Sequence, residues 1–175
     1  ITDLSQGDCY SEISLPSIVL NGTTPEVVEI PQVYSDLGVY AETISGEEIT
    51  SIATKILKDS VEVSSIDTNS LGNYRIIYTV YEGAKMNYVE RVVNIVDTTK
   101  PSLTVPGTEN LVIADVDSYD LMSGVSVTDN SGETLTVTVT GSIAKIAGSY
   151  NITYTATDSS GNTESIARVI NVSDI

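Results

Sequence analysis

The sequence predicts an all-β chain made of two tandem β-sandwich domains, and three observations predict it. A block of residues recurs in order along the chain. Within each copy, apolar and polar residues alternate with period two. Glycine-bearing turns punctuate the copies at the short intervals expected of a sandwich rather than of βαβ units.

The duplication is the firmest of the three. Gly72-Asn73-Tyr74-Arg75-Ile76-Ile77-Tyr78-Thr79 matches Gly148-Ser149-Tyr150-Asn151-Ile152-Thr153-Tyr154-Thr155 at an offset of 76. Arg91-Val92-Val93-Asn94-Ile95-Val96-Asp97 matches Arg168-Val169-Ile170-Asn171-Val172-Ser173-Asp174 at an offset of 77. Upstream, Ile18-Val19-Leu20-Asn21-Gly22-Thr23 aligns with Leu103-Thr104-Val105-Pro106-Gly107-Thr108, and Gly38-Val39 with Gly124-Val125, at offsets of 85–86. The first copy therefore carries an insertion, which falls in residues 51–69. The predicted layout is a leader or linker over 1–12, one domain over 13–97 and a second over 98–175.

The elements follow in order. Residues 51–58 are the one place where a short helix is open, because Ile52, Ile56 and Leu57 have helical spacing. Tyr74, Ile76, Tyr78 and Val80 share one face of a strand. The linker Asp97-Thr98-Thr99-Lys100-Pro101 has no glycine, and Pro101 holds Lys100 extended. It predicts a semi-rigid joint and an elongated pair of domains. In the second copy, 134–140 alternates with Leu135, Val137 and Val139 on one side. In 150–157, Tyr150, Ile152, Tyr154 and Ala156 face one way and Asn151, Thr153, Thr155 and Thr157 the other, the pattern of a half-buried antiparallel strand. Turns are expected at 130–132, 141–142 and 159–162.

Composition narrows the function. The 175 residues include 10 Tyr but no Phe, Trp or His, so each interior must be built from aliphatics and a few tyrosines. The net charge is −16, with 24 acidic residues against 8 basic ones. Such a surface repels a phosphate backbone and argues against nucleic acid as a partner. Cys9 is the single cysteine, so no intrachain disulfide forms. No apolar run reaches the length of a membrane span. Because Ile1 opens on no signal-like segment, the expectation is a piece of a longer protein.

The linker, Gly124-Val125, Thr128-Asp129-Asn130 and the stretch from Gly148 to Thr163 together resemble the bacterial immunoglobulin-like repeat family, whose pattern is related to hyalin repeats. The second copy resembles it over nearly its full length. The first departs at Tyr81-Glu82-Gly83-Ala84-Lys85-Met86-Asn87, where the family has an acidic Asp-x-x-Gly-Asn turn, so nothing tied to that turn carries over to it. The resemblance implies two immunoglobulin-like sandwiches and an extracellular, non-enzymatic module of the bacterial cell surface. The domains of this family occur in tandem on surface proteins and secreted enzymes.

Chemistry is sparse. Without His, neither a Ser-His-Asp nor a Cys-His arrangement is available, and zinc lacks its usual ligands. A glycosidase pair of carboxylates would need a cleft with stacking aromatics. Calcium is the cation the sequence favours, because it takes oxygens from Asp, Asn and backbone carbonyls. Asp158-Ser159-Ser160-Gly161-Asn162-Thr163-Glu164 gathers such oxygens in one turn, and the strand order brings that turn toward Asp97. Asp97, Asp158 and Asn162 are thus a candidate calcium set at the joint between the domains. Against it, Asp158 and Asn162 shape hairpins by Asx-type hydrogen bonds in any case. Lys100 and Lys145, with Asn94 and Asn171, are available as isopeptide partners, but no recognisable motif supports the bond.

The expected role is a non-catalytic spacer, stalk or adhesion module. The alternative is an accessory carbohydrate-binding module of a secreted polysaccharide-processing protein, for which Tyr81 and Tyr88 are the candidate stacking residues. Expected partners are neighbouring domains of the same protein and a host or surface glycan or protein.

Overall fold

The computed structural model describes residues 14–174, so the leader and Cys9 lie outside the described residues. By internal contact the chain divides into two compact units. Of the described residues, the first comprises 14–28 and 33–95, and the second comprises 29–32 and 96–174.

The first unit is built from β1 (Ser17–Leu20), β2 (Glu26–Glu29), β3 (Val39–Glu42), β4 (Ala53–Lys58), β5 (Val61–Val63), β6 (Gly72–Glu82) and β7 (Lys85–Val96). β1 pairs with β3, and a five-stranded sheet runs β2-β7-β6-β4-β5. Alternation puts Tyr74, Ile76, Tyr78 and Val80 of β6 in the core, with Ile18, Ala41, Val93 and Ile95. Burying each of the valines and isoleucines among them stabilises the fold by about 1.5–3 kcal/mol.

Residues 53–58 are a strand, not the short helix their apolar spacing left open. Ile56 pairs with Ile76 and Thr54 with Tyr78, so period two aligns the segment with the buried face of β6, and the ladder occupies its backbone groups. The insertion supplies β5, which adds to the sheet edge through Ile56↔Val63.

The second unit holds β8 (Ser102–Thr104), β9 (Glu109–Val112), a 3₁₀ turn (Ile113–Ser118), β10 (Ser126–Thr128), β11 (Val137–Thr140), β12 (Gly148–Thr157) and β13 (Thr163–Ser173). β8 pairs with β10, and the larger sheet runs β11-β12-β13-β9. Leu103, Ile152, Tyr154 and Ile170 form its core, with Val137 and Val139 packed against them. β9 joins β13 in parallel, and the other pairings of this unit are antiparallel.

The alternating tract 134–140 forms a strand only from Val137. That residue pairs with Ala156, and β12 turns away just beyond, at Asp158. Residues 133–136 therefore leave the sheet, and this departure carries Glu133 to the β12–β13 turn.

In both units an arginine stands on the core-facing side of the last strand. Arg91 is 0% exposed and Arg168 is 4% exposed. Arg91 donates to the carbonyls of Thr23 (2.9 Å), Asn21 (2.5 Å) and Gly38 (3.1 Å), and it pairs with Glu26. Its Nε lies 3.1 Å from Asp36 Oδ1, off the hydrogen-bonding direction. Arg168 donates to Gly107 O (2.8 Å) and Glu109 Oε2 (3.2 Å), and it lies over the Tyr119 ring. Arg91 is thus held by three backbone oxygens and a carboxylate, and Arg168 by one backbone oxygen and a carboxylate with its buried Nη1 left unpartnered. Such partners are what offset the cost of burying a charge.

Candidate functional site

The β12–β13 turn is set by its own polar groups. Asn162 N donates to Asp158 Oδ1 at 2.8 Å, Asp158 N to Asn162 O at 3.0 Å and Gly161 N to Asp158 O at 3.2 Å. Gly161 takes φ +91°, a conformation that strains residues with a Cβ. Ser159 N and Oγ both donate to Glu133 Oε1, at 3.0 and 3.2 Å.

These links gather three carboxylates from distant parts of the sequence. One oxygen each of Asp97, Glu133 and Asp158 lies within 4.8 Å of the others. Asp97 and Asp158 are 7% and 6% exposed, and Glu133 is half-buried. Asp97 and Asp158, both singled out from the sequence, therefore stand together. Asn162 enters through its nitrogen: Nδ2 donates to Asp158 Oδ2 at 2.8 Å and to the Asp97 carbonyl at 3.1 Å. It braces the two aspartates, while Glu133 supplies the third carboxylate. Glu133 was not legible in advance, because nothing in its sequence position points to the β12–β13 turn.

The electrostatics are one-sided. Asp97 Oδ1 accepts from Thr99 N at 3.1 Å, but the buried Oδ2 has no partner. Burial pushes the Asp97 carboxyl above its ordinary value, and the charges of Asp129, Asp158 and Glu29 add to the rise. Asp129 also keeps a buried, unpartnered Oδ2, while its Oδ1 accepts from Ser131 N and Oγ. Among the described residues, no ion pair involves Asp97, Asp129, Glu133 or Asp158. Glu29 behaves differently. Burial pushes its carboxylate up, but hydrogen bonds from Thr98 and Thr99 outweigh that and hold it at about 2.

Two other features stand apart from this cluster. In the first unit an open cleft of about 300 Å³ is lined by Tyr34, Asp36, Thr54, Ile56, Ile66 and Ile76, among others. Burial, followed by the Asp36 carboxylate, raises the hydroxyls of Tyr34 and Tyr78 far above the ordinary tyrosine range, so both stay protonated. On the outer face of the β6–β7 hairpin, Tyr81 and Tyr88 are 59% and 53% exposed, beside an exposed Met86. Tyr81 pairs with Met86 and Thr79 with Tyr88, which makes the two tyrosines diagonal neighbours. The two lysines available for isopeptide bonds face carboxylates: Lys145 pairs with Asp117, and Lys100 lies 3.6 Å from Glu164.

The family described as "Bacterial surface protein, Ig-like domain" matches residues 103–172. The second unit belongs to this bacterial surface Ig-like family. Its sandwich, its paired long strands and the run from Gly148 to Thr163 are those of the Ig-like domain in this chain. No helix among the described residues is long and apolar enough to cross a membrane. No curated protein matches the chain.

Among solved structures, the chain is 18% identical to a lipoprotein of Bacteroides thetaiotaomicron, covering 89% of this chain and 99% of that one at a TM-score of 0.40. It is 10% identical to the M60 catalytic domain with two CBM51 domains of Clostridium perfringens ZmpB, covering 91% of this chain and 31% of that one at 0.41. A third likeness is to Drosophila N-cadherin EC1-4, at 12% identity, 91% and 50% coverage and a TM-score of 0.37.

Proposed function

We propose that the chain is a non-catalytic part of a secreted or cell-surface bacterial protein. Its two tandem immunoglobulin-like modules, residues 13–97 and 98–175, serve as a spacer or stalk. The parallel pairing of β9 with β13 carries this reading. β9 lies early in the second unit and β13 ends it, so tension along the chain pulls the two strands oppositely along their axes. Parallel partners loaded in this way slide past each other. The ladder from Ile170↔Glu109 to Ser173↔Val112 must then yield together, whereas a hairpin pulled open yields one bond at a time.

Side chains reinforce the same seam. Arg168 holds Gly107 and Glu109, Asn171 Nδ2 donates to Asn110 Oδ1 at 3.0 Å, and Ser173 Oγ donates to Leu111 O at 3.3 Å. Stretching single molecules by their two ends tests the reading. The expected record has a distinct unfolding peak for the second unit, and Leu111→Pro lowers its force, because proline removes a backbone donor from β9. Featureless extension of the parent chain would count against a load-bearing role.

The exposed pair Tyr81 and Tyr88 supports a second reading, an accessory carbohydrate-binding module, because flat exposed aromatics stack on sugar rings. A glycan array decides between the two. Saturable hits lost in Tyr81→Ala and Tyr88→Ala would sustain the binding reading, and a blank array the spacer.

A further inference from the structure

We propose that Asp97, Glu133 and Asp158 bind a calcium ion within the second unit. The three carboxylate oxygens lie within 4.8 Å of one another, a separation that two ligands of one calcium reach at bond lengths of about 2.3–2.6 Å. The three ligand atoms are all oxygen, the chain has no histidine and no cysteine lies among the described residues, which favours a hard cation.

A cluster of acids alone would say little, since exposed carboxylates tolerate one another in water. Here the decisive atom is Asp97 Oδ2. It belongs to a residue that is 7% exposed, it has no hydrogen-bond partner, and its carboxylate is one of the three that converge. A buried carboxylate oxygen left unpaired is costly, and no lysine or arginine among the described residues pairs with any of the three acids. A divalent cation would supply the missing partner.

The surroundings hold the ligands in place. Ser159 orients Glu133 through Oε1, and Asn162 fixes Asp158 through both of its oxygens. Asn162 is thus a positioning residue. Its Nδ2 also ties the Asp97 main-chain carbonyl to the turn.

The test is calorimetric titration of the metal-stripped chain with calcium chloride, paired with melting curves in calcium and in a chelator. The parent chain should bind with measurable heat and melt higher as calcium rises. Glu133→Gln, which alters a half-buried residue, should fold and lose affinity roughly tenfold or more, because affinity follows the number of charged ligands. Asp97→Asn gives a sign that a merely structural role does not produce. In chelator it should melt above the parent, since it removes an unpaired buried charge, and in calcium it should melt below. Absence of heat and of any melting shift at millimolar calcium overturns the proposal. So does a Glu133→Gln variant that responds like the parent, or an equal response to magnesium.

Discussion

Arg91 and Arg168 occupy strand positions that alternation reserves for apolar side chains, and each is a buried donor to oxygens gathered around it. Around Arg91 these are three carbonyls and the carboxylates of Glu26 and Asp36. Arg91→Ala leaves the three carbonyls and the two part-exposed carboxylates without their partner, and a buried acceptor left unsatisfied costs about 1–3 kcal/mol. Equilibrium urea unfolding should show that loss. Arg75→Ala is the control, because Arg75 meets Glu90 on the exposed surface, where solvent screens the pair, and its midpoint should hardly move.

Glu29 makes a prediction of opposite character. Its carboxylate is held at about 2 against an ordinary 4.5. A depressed folded-state value means the contribution is fully present above the ordinary value and is lost as pH falls through 4.5 toward 2. Glu29→Gln should therefore be less stable than the parent at neutral pH, with the gap closing across that acid range. Melting curves in chelator, recorded from pH 7 down, would expose any other pattern.

At the level of elements, the long strands declare themselves because their information is local. β6 and β12 carry Tyr-x-Ile-x-Tyr on one face, and that face is the buried one in both. β4 was ambiguous because Ile52 and Ile56 satisfy a helical and a strand spacing equally, and only the pairing with β6 decides. β5 could not be read at all, since its three residues depend on an edge that β4 provides. Turns were better marked. Gly141 takes φ +97°, and a Cβ there would come within 2.5 Å of the Asn151 carbonyl oxygen. Gly141→Ala should cost about 1–3 kcal/mol through backbone strain, with the clash adding to it. A thermal midpoint equal to that of the parent would show that the loop relaxes instead.

The acidic cluster belongs to the whole molecule, because residues 97, 133 and 158 meet only once the sheets of the second unit are closed. So does the bulk charge, and the two must be separated by experiment. A net charge of −16 repels itself in the folded state, and monovalent salt relieves that repulsion without choosing a site. The screening length falls from about 10 Å at 0.1 M to about 3 Å at 1 M. Potassium chloride should therefore raise the melting temperature gradually and level off. Glu133→Gln should follow the same salt curve as the parent, offset by a constant. Millimolar calcium contributes almost nothing to ionic strength, so a rise above the matched potassium curve measures occupancy of the site rather than screening. If instead calcium and potassium at equal ionic strength give superimposable melting curves, the charge acts only as a diffuse field and the three carboxylates are no site.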